Sequence, residues 1–206
     1  DMRDLGMPTT EITIAEVLKD AGYYTAHIGK WHLGATNGMR PEDQGFDDSL
    51  YMAGTFYLPE DHPDVVNSKL EDPVEKMVWA TASYAAQWNG GETFEPDGYL
   101  TDYYSNEAVK VIEANRNQPF FLYLAHWGLH NPIQALKSDY DALAHIQDHN
   151  LRTYSAMVRA LDRGIGQVVE ALEANGIADN TMIVLTSDNG GAAYIELDDI
   201  NQAESL

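Results

Sequence analysis

The hydrophobic and polar positions along the chain follow two different periods. Apolar residues recur every three or four positions in three segments, which predicts amphipathic helices at Thr13–Ala21, Thr101–Asn115 and Leu151–Asn175. Shorter runs rich in β-branched or aromatic residues predict strands at Tyr23–Ile28, Pro119–Ala125 and Thr181–Thr186. Because helices alternate with strands, the sequence predicts an α/β layered domain with a mostly parallel central sheet flanked by helices.

Residues 50–100 interrupt this alternation and predict an irregular insertion, with one helical piece around Val74–Gln87. The helix-breaking residues spread through it are Pro59, Pro63, Pro73, Gly90, Gly91 and Pro96. A long insertion in a compact domain either lines a substrate cleft or decorates the surface, and both interpretations stay open. The aromatic residues able to stack on a sugar or aryl ring, or to pack in the core instead, are Trp79, Trp88, Tyr99 and Trp127.

Composition indicates a globular protein and limits its partners. The 206 residues are 44% hydrophobic and 10% aromatic, which is enough for a sizeable core. Acidic residues outnumber basic ones 33 to 12, and the formal charge of -21 repels nucleic acid and anionic membrane surfaces. No run approaches the ~18 apolar residues of a membrane span, and the chain has no cysteine for a disulfide or a thiolate metal site. We therefore expect no nucleic-acid or membrane partner.

Each predicted strand is followed by polar residues next to glycine or proline. The side chains that follow the three strands are, in order, Lys30 with His32, His126 with His130, and Asp188 with Asn189. In open α/β sheets, ligands bind beyond the carboxyl ends of the strands. If the three strands are neighbours, these side chains converge on one pocket, which is the predicted site.

The first pair lies within Gly22–Gly34, a stretch that contains three glycines, two histidines and a lysine. On an extended backbone Lys30 and His32 point to the same side, about 6.5 Å apart. An ammonium beside an imidazole suits a sulfate or phosphate oxyanion. A cationic surface loop explains the same residues equally well, and the stretch alone does not decide between the two.

The other two pairs carry different chemistry. On a loop, His130 is able to bind an anion or to protonate a leaving oxygen. His126 is a further candidate for substrate binding, against the simpler interpretation of a histidine bonded to backbone groups. Asp188 and Asn189 offer hard oxygen ligands that suit Ca²⁺ or Mg²⁺. A strand-ending turn is the alternative for these two, and two ligands do not fill a calcium shell of about 6–8 oxygens.

The ordered set of motifs resembles the type I sulfatases of the alkaline-phosphatase superfamily, from about residue 8 to 192 and least in 50–100. The segments that carry the resemblance are Thr13–Lys19, Gly22-Tyr23-x-Thr25-x-x-x-Gly29-Lys30-x-x-Leu33 with His32, Pro41 with Gly45-Phe46-Asp47, Pro119–Ala125 with His130–Ala135, and Tyr154–Asp162 with Ile165, Gly176, Asp179–Thr181 and Thr186–Gly191. The resemblance implies an alkaline-phosphatase-like layered fold and the hydrolysis of sulfate esters with calcium and a formylglycine nucleophile.

The resemblance also implies a role for each matching residue. Lys30 would neutralise charge on the sulfate and on the formylglycine, and His32 would bond the formylglycine hydrate. His130 would contact the sulfate and protonate the leaving alcohol, while Asp188 and Asn189 would bind calcium. In the family, the hydrate attacks sulfur in line, expels the alcohol and leaves a sulfated enzyme that then eliminates sulfate.

The sequence departs from the family pattern in ways that bear on activity. The family nucleophile is made from Cys or Ser in a Cys/Ser-x-Pro-Ser-Arg motif upstream of the first helix, and neither a cysteine nor Pro-Ser-Arg occurs here. Paired aspartates of a first strand and a lysine after Asn189 are also missing. We therefore expect residues 1–206 to be an internal part of a sulfatase catalytic domain that is inactive alone, with the formylglycine in an upstream segment.

Two other functions stay open at this point. One is a phosphonate monoester or phosphodiester hydrolase of the same superfamily. The other is a non-catalytic calcium- or anion-binding domain derived from the sulfatase fold, which the missing nucleophile supports. The expected substrate of the sulfatase is a small-molecule or saccharide sulfate ester, and the family resemblance implies a periplasmic or secreted location.

Overall fold

The computed structural model describes residues 6–36 and 38–190. The helices are α1 (Ile14–Asp20), α2 (Pro73–Thr81), α3 (Leu100–Asn115), α4 (Lys137–Ala142) and α5 (His149–Ala174). The strands are β1 (Tyr24–Gly29), β2 (Asp48–Met52), β3 (Val65–Ser68), β4 (Ala86–Trp88), β5 (Thr93–Phe94), β6 (Phe120–Ala125) and β7 (Ile133–Leu136). Short 3-10 helices occupy Pro41–Gln44 and Ala178–Asn180. None of the helices in this part of the chain has both the length and the apolar character needed to cross a bilayer.

The central sheet has the strand order β5-β4-β2-β1-β6 within the described residues. β1 runs parallel to β2 and to β6, whereas the β2–β4 and β4–β5 pairs are antiparallel. The predicted α/β layered fold is confirmed, but the sheet is mixed. It is parallel where β1 and β6 are separated by a helix, and antiparallel where short connections join β4 to β5, because parallel pairs need long crossovers.

Helices cover both faces of the sheet, and β1 lies between the two cores. Ile28 faces the larger core, where it clusters with Tyr104 of α3 and Met157 of α5. His27, the neighbouring residue on the strand, faces the opposite side and packs against Phe46. This alternation is the period of two expected of a strand with a core on each side.

The predicted helices at both ends of the described chain are confirmed to within two residues. The Thr13 side chain accepts from the backbone N–H of Glu16, whose carboxylate accepts from the Thr13 N–H, so a capping box starts α1. Gly22 and Gly176 follow α1 and α5 with φ of 86° and 69°. These left-handed values favour glycine and end each helix where the sequence predicts.

Residues 50–100 are not an irregular insertion, so that prediction is wrong. β4 and β5 extend the central sheet, and β3 pairs with β7 through the register Val66↔Ala135. The helix predicted around Val74–Gln87 ends at Thr81, and its last part is strand β4 instead. β3, β4 and β5 contain four, three and two residues, which is too short for a period of two to show in the sequence.

The strand predicted at Thr181–Thr186 is not formed in the described structure. Three of its apolar side chains are 88%, 76% and 76% exposed, at Met182, Val184 and Leu185. A strand exists only where a neighbouring strand satisfies its backbone groups, and within residues 6–36 and 38–190 no ladder includes this segment. The prediction of a buried strand is therefore wrong for the described structure.

A charged network joins the three helices behind the sheet. Arg163 of α5 donates to both carboxylate oxygens of Asp139 at 2.7 and 2.9 Å and to both oxygens of Asp102 at 2.9 and 3.0 Å. Arg159 also donates to Asp139, whose side chain is only 5% exposed. Such two-pronged bonds fix orientation as well as distance, so α3 and α4 are held against α5.

Candidate active site

The candidate site begins where β1 ends. Gly29 has φ of 112°, and a Cβ at this position would lie 1.9 Å from the carbonyl oxygen of Ala125 on β6. Only glycine therefore allows the two strands to approach here. The Lys30 N–H donates to the same Ala125 carbonyl at 2.8 Å, so the carboxyl ends of β1 and β6 are held side by side.

The predicted side chains come together beyond these strand ends. Lys30 Nζ lies 3.1 Å from Asp188 Oδ2 and 5.5 Å from the ring centroid of Trp127. The Trp127 ring stacks on His130, with the two centroids 3.9 Å apart. His32 is exposed, and its coulombic interaction with His130 contributes to lowering the pKa of His130. We call Lys30, His32, Trp127, His130 and Asp188 the strand-end cluster.

The position of Lys30 is fixed by a buried histidine that sequence analysis left without a role. His27 is fully buried, and its Nε2 lies 3.1 Å from the Lys30 carbonyl oxygen. Because a carbonyl only accepts, Nε2 carries the proton, and Nδ1 accepts from the Ser49 hydroxyl at 3.0 Å. The bond from Lys30 in turn holds the pKa of Asp188 below its usual range.

His130 presents one defined nitrogen to a ligand. Its Nδ1 lies 2.8 Å from the Asn131 carbonyl oxygen, so Nδ1 carries the proton and Nε2 is left for a ligand. Burial lowers the pKa of His130, and the charges of Lys30 and His32 act in the same direction, against the Asn131 bond and Asp188. The ring is therefore mainly neutral near pH 7, and a bound anion would raise its pKa again.

Asp188 and Asn189 fit a hard cation in chemistry but supply only part of a coordination shell. Both residues are exposed, and one carboxylate and one amide oxygen are ligands that Ca²⁺ accepts. The Asn189 side-chain NH₂ donates to the Gly190 carbonyl. This bond does not use the Asn189 side-chain oxygen, which is the atom that would bind a cation. Among the residues that the structure describes, no three His, Cys, Asp or Glu side chains form a metal-binding group.

His126 does not join the strand-end cluster. Both of its ring nitrogens are buried and have no hydrogen-bond partner among the described residues. Its ring centroid is 6.5 Å from that of Tyr104 on α3, and a Cβ added to Gly164 of α5 would lie 3.9 Å from its Cε1 atom. The ring thus lies between β6 and the helices, and the prediction that His126 binds substrate disagrees with this placement.

The aromatic residues considered for ring stacking are divided between core and surface. Tyr99 is 3% exposed and stacks on Tyr57, and Trp127 is 7% exposed and donates its indole N–H to the Thr55 carbonyl. Core packing is therefore the correct interpretation for these two. Trp88 is 37% exposed at the end of β4, so it alone of these three presents a large ring surface to solvent.

His27, which is fully buried, and His126, whose ring nitrogens are buried, predict that the protein loses stability in mild acid. Burial lowers the pKa of His27 and of His126 to about 4 each. Unfolding returns them to about 6.5, so the unfolded state binds more protons between these values and the free energy of unfolding falls as pH falls from about 6.5 to 4. The expected loss is about 3 kcal/mol for each histidine, measured by urea unfolding at a series of pH values.

The variant His126→Phe separates this effect from general acid denaturation. Because neither ring nitrogen of His126 has a partner among the described residues, an apolar ring is expected to be tolerated there. The variant should lose about half of the pH dependence assigned to the two histidines. The exposed control His145→Phe should keep all of it, and an unchanged pH profile in His126→Phe would contradict the prediction.

Comparisons with known proteins identify related chains. The family model described as Sulfatase matches residues 6–203. The chain is 33% identical over 191 residues to the uncharacterized sulfatase YdeN of Escherichia coli (strain K12), covering 90% of this chain and 34% of that protein. It is 32% identical over 188 residues to the N-acetylgalactosamine-6-sulfatase of Homo sapiens, covering 91% of this chain and 34% of that protein. The chain thus spans about one third of the length of these relatives.

Two solved structures are similar to this chain. The crystal structure of Ps i-CgsB in complex with k-i-k-neocarrahexaose is similar with a TM-score of 0.71 and 34% identity, over 86% of this chain and 40% of that one. The putative sulfatase yidJ from Bacteroides fragilis is similar in fold, with a TM-score of 0.64 and 18% identity, over 85% of this chain and 43% of that one.

Proposed function

Because this chain belongs to the sulfatase family, we propose that the protein containing it hydrolyses sulfate esters at the strand-end cluster. The observation that carries the proposal is the meeting of Lys30, His130 and Asp188 beyond the ends of β1 and β6. In a chain with a formal charge of -21, an anionic substrate needs a local concentration of positive charge. Lys30 supplies that charge at this edge of the sheet, and His32 adds an exposed imidazole beside it.

The reaction adds water across the sulfur–oxygen bond of the ester and releases an alcohol and hydrogen sulfate. Negative charge increases on the oxygens of the sulfate and of the leaving alcohol as that bond breaks. Lys30 is held by its own backbone contacts and by Asp188, so its ammonium is already in place when this charge develops. Fixed positive groups of this kind stabilise the transition state more than the ground state.

His130 is proposed to give a proton to the leaving oxygen. Its Nδ1 proton is committed to the Asn131 carbonyl, so the proton that is transferred is one held at Nε2. The free protein favours the neutral ring, and a sulfate ester bound beside Lys30 adds the negative charge that favours the imidazolium. A positioned general acid typically contributes about 10²–10⁴-fold to the rate.

Calcium and a formylglycine nucleophile, which the family resemblance implies, are part of the proposal. When bound, calcium neutralises charge on the sulfate and the formylglycine provides the attacking oxygen. Asp188 and Asn189 are the residues of this chain that would hold the cation, and their oxygen chemistry supports this role. Lys30 is then the group that keeps Asp188 ionised, since its bond lowers the pKa of that carboxyl.

The substrate is proposed to be a sulfated saccharide. One relative is named for N-acetylgalactosamine 6-sulfate chemistry, and the similar crystal structure holds k-i-k-neocarrahexaose. The family match favours sulfate over the phosphonate or phosphodiester alternative. A periplasmic or secreted location is proposed from the family alone, and fractionation of cells that express the protein would test it.

The proposed activity is tested by assaying the complete protein on 4-nitrophenyl sulfate, 4-nitrophenyl phosphate and a panel of sulfated oligosaccharides, each with and without a chelator. Release of sulfate that is lost on chelation is the expected result. Faster hydrolysis of the phosphate would instead support the phosphoryl-transferring alternative. No hydrolysis of any ester would support the non-catalytic binding domain.

The variant Asp188→Ala is expected to weaken the response of stability to calcium. A ligand that binds the folded state at 100 times its dissociation constant adds about 2.7 kcal/mol to the free energy of unfolding. Loss of a charged ligand should reduce calcium affinity at least tenfold, and thus remove about 1.4 kcal/mol or more of this gain. Calcium titrations followed by thermal unfolding would measure it.

The control for this experiment is Asp179→Ala, which removes another exposed aspartate that follows α5. Its calcium response should equal that of the unmodified protein. If Asp188→Ala also keeps the full response, Asp188 is not a calcium ligand.

A further inference from the structure

Glu75 is a buried carboxylate that the proposed chemistry does not yet use. It lies in the first turn of α2 and is 0% exposed. One of its oxygens accepts from the Trp79 indole N–H at 2.7 Å, and the other accepts from the Asn131 amide at 2.9 Å. No ion pair within the described residues includes it. Burying a carboxyl group away from solvent is costly, which suggests a role other than stabilising α2.

The contact with Asn131 connects Glu75 to the histidine loop. Asn131 is 2% exposed and directly follows His130. Its side chain is held by Glu75, and its carbonyl oxygen accepts the Nδ1 proton of His130 at 2.8 Å. One residue thus joins a buried carboxylate to the imidazole of the strand-end cluster.

Residues 55–75, the segment that contains Glu75, make further contacts around His130. The Tyr57 hydroxyl donates to the His130 carbonyl at 2.8 Å. Trp127, which stacks on the His130 ring, donates its indole N–H to the carbonyl of Thr55 at 3.0 Å. Residues 55–75 therefore make three contacts around His130. They contact its backbone, the Trp127 ring that stacks on it, and the side chain of Asn131, whose carbonyl accepts its Nδ1 proton.

We propose that Glu75 is a positioning residue for His130. By holding the Asn131 side chain, the carboxylate fixes the direction of the Asn131 carbonyl, and that carbonyl selects the tautomer with Nε2 free. A carboxylate accepts at both oxygens and so holds Trp79 and Asn131 together, whereas a glutamine amide has only one acceptor oxygen. The inference rests on the proposed role of His130 as general acid.

The variant Glu75→Gln in the complete protein tests this role with two sulfate esters of different leaving groups. 4-Nitrophenol leaves readily without a proton, whereas an alkyl or sugar alcohol needs one. We expect kcat for the alkyl sulfate to fall about tenfold or more, and kcat for 4-nitrophenyl sulfate to fall less than about threefold. KM should change less than about twofold for both esters, because the sulfate contacts are unaltered.

The matched control is Glu71→Gln, which also removes one negative charge close to α2. Glu71 is exposed and paired with Lys76, so both rates should stay within about twofold of the unmodified protein. The second variant, Asn131→Ser, removes the amide donor and should give the same dependence on the leaving group. If neither Glu75→Gln nor Asn131→Ser folds, the two residues are structural and the inference is wrong.

The outcomes separate this inference from the proposed function. If the unmodified protein hydrolyses both esters and His130→Ala impairs mainly the alkyl ester, the general acid is established. Equal losses for both esters in Glu75→Gln, or no loss, would then overturn the role of Glu75 alone. If the unmodified protein hydrolyses neither ester, or His130→Ala impairs both equally, the proposed role of the site is what fails.

Discussion

Replacing Lys30 with alanine is expected to lower kcat for an aryl sulfate by about 10²–10³-fold in the complete protein, which is the loss typical of removing one fixed charge or donor from a transition state. Lys30 carries this expectation because its ammonium lies within the strand-end cluster and its side chain is only 20% exposed. Its backbone is fixed on both sides, by the bond to Ala125 and by the bond from His27.

The stability of the Lys30→Ala variant should change little. The pair that it breaks involves a carboxylate that is 64% exposed at Asp188, and exposed pairs contribute about 0–1 kcal/mol. Thermal unfolding would therefore distinguish a chemical loss from a folding loss. The control Lys110→Ala removes an exposed ammonium on α3 and should leave kcat unchanged. A Lys30→Ala protein that keeps activity within tenfold of the unmodified protein would contradict the assignment.

Replacing His130 with alanine is expected to lower kcat for an alkyl or sugar sulfate by about 10²–10⁴-fold, the usual contribution of a general acid. The loss for 4-nitrophenyl sulfate should be much smaller, because that leaving group does not need the proton. The unmodified protein should also lose activity as pH rises through the pKa of His130 in the substrate complex, since only the imidazolium holds the transferable proton.

The pH dependence gives a second measurement of the same role. In His130→Ala the decline at high pH should disappear from the kcat profile for the alkyl ester. The exposed control His145→Ala should keep both the rate and the profile. Losses of equal size for good and poor leaving groups would show that His130 binds sulfate without acting as the acid.

The meeting of the strand-end residues is predictable from sequence because parallel strands place their carboxyl ends at one edge of a sheet. β1 and β6 each present a clear run of strand-forming residues followed by a histidine or lysine, and the register Gly29↔Ala125 brings those residues together. The third predicted strand is not formed, yet Asp188 still reaches Lys30. For Asp188, the position in the chain thus predicted membership of the site correctly, although the strand predicted before it is not formed.

The supporting residues were not predictable in the same way. Glu75 lies 56 positions before Asn131, which it contacts, and Tyr57 lies 73 positions before its own partner, His130. Nothing local to Glu75 distinguishes it from an ordinary acidic residue in the first turn of a helix, where carboxylates are favourable in any case. His126 was included in the site because it directly follows β6. Its ring instead lies near Tyr104 of α3 and Gly164 of α5, on the core side of the strand.

What the sequence determined alone is what depends on neighbours in the chain: the capped helices α1 and α5, the strands β1 and β6, and the order of the polar residues after them. These features follow from short-range propensities and from the period of apolar residues. The tertiary structure decided the antiparallel edge, the buried direction of His126, and the path from Glu75 through Asn131 to His130. Those features depend on contacts between segments that are distant in the chain. The role of a buried polar group depends on its hydrogen-bond partners, and only packing brings those partners to it.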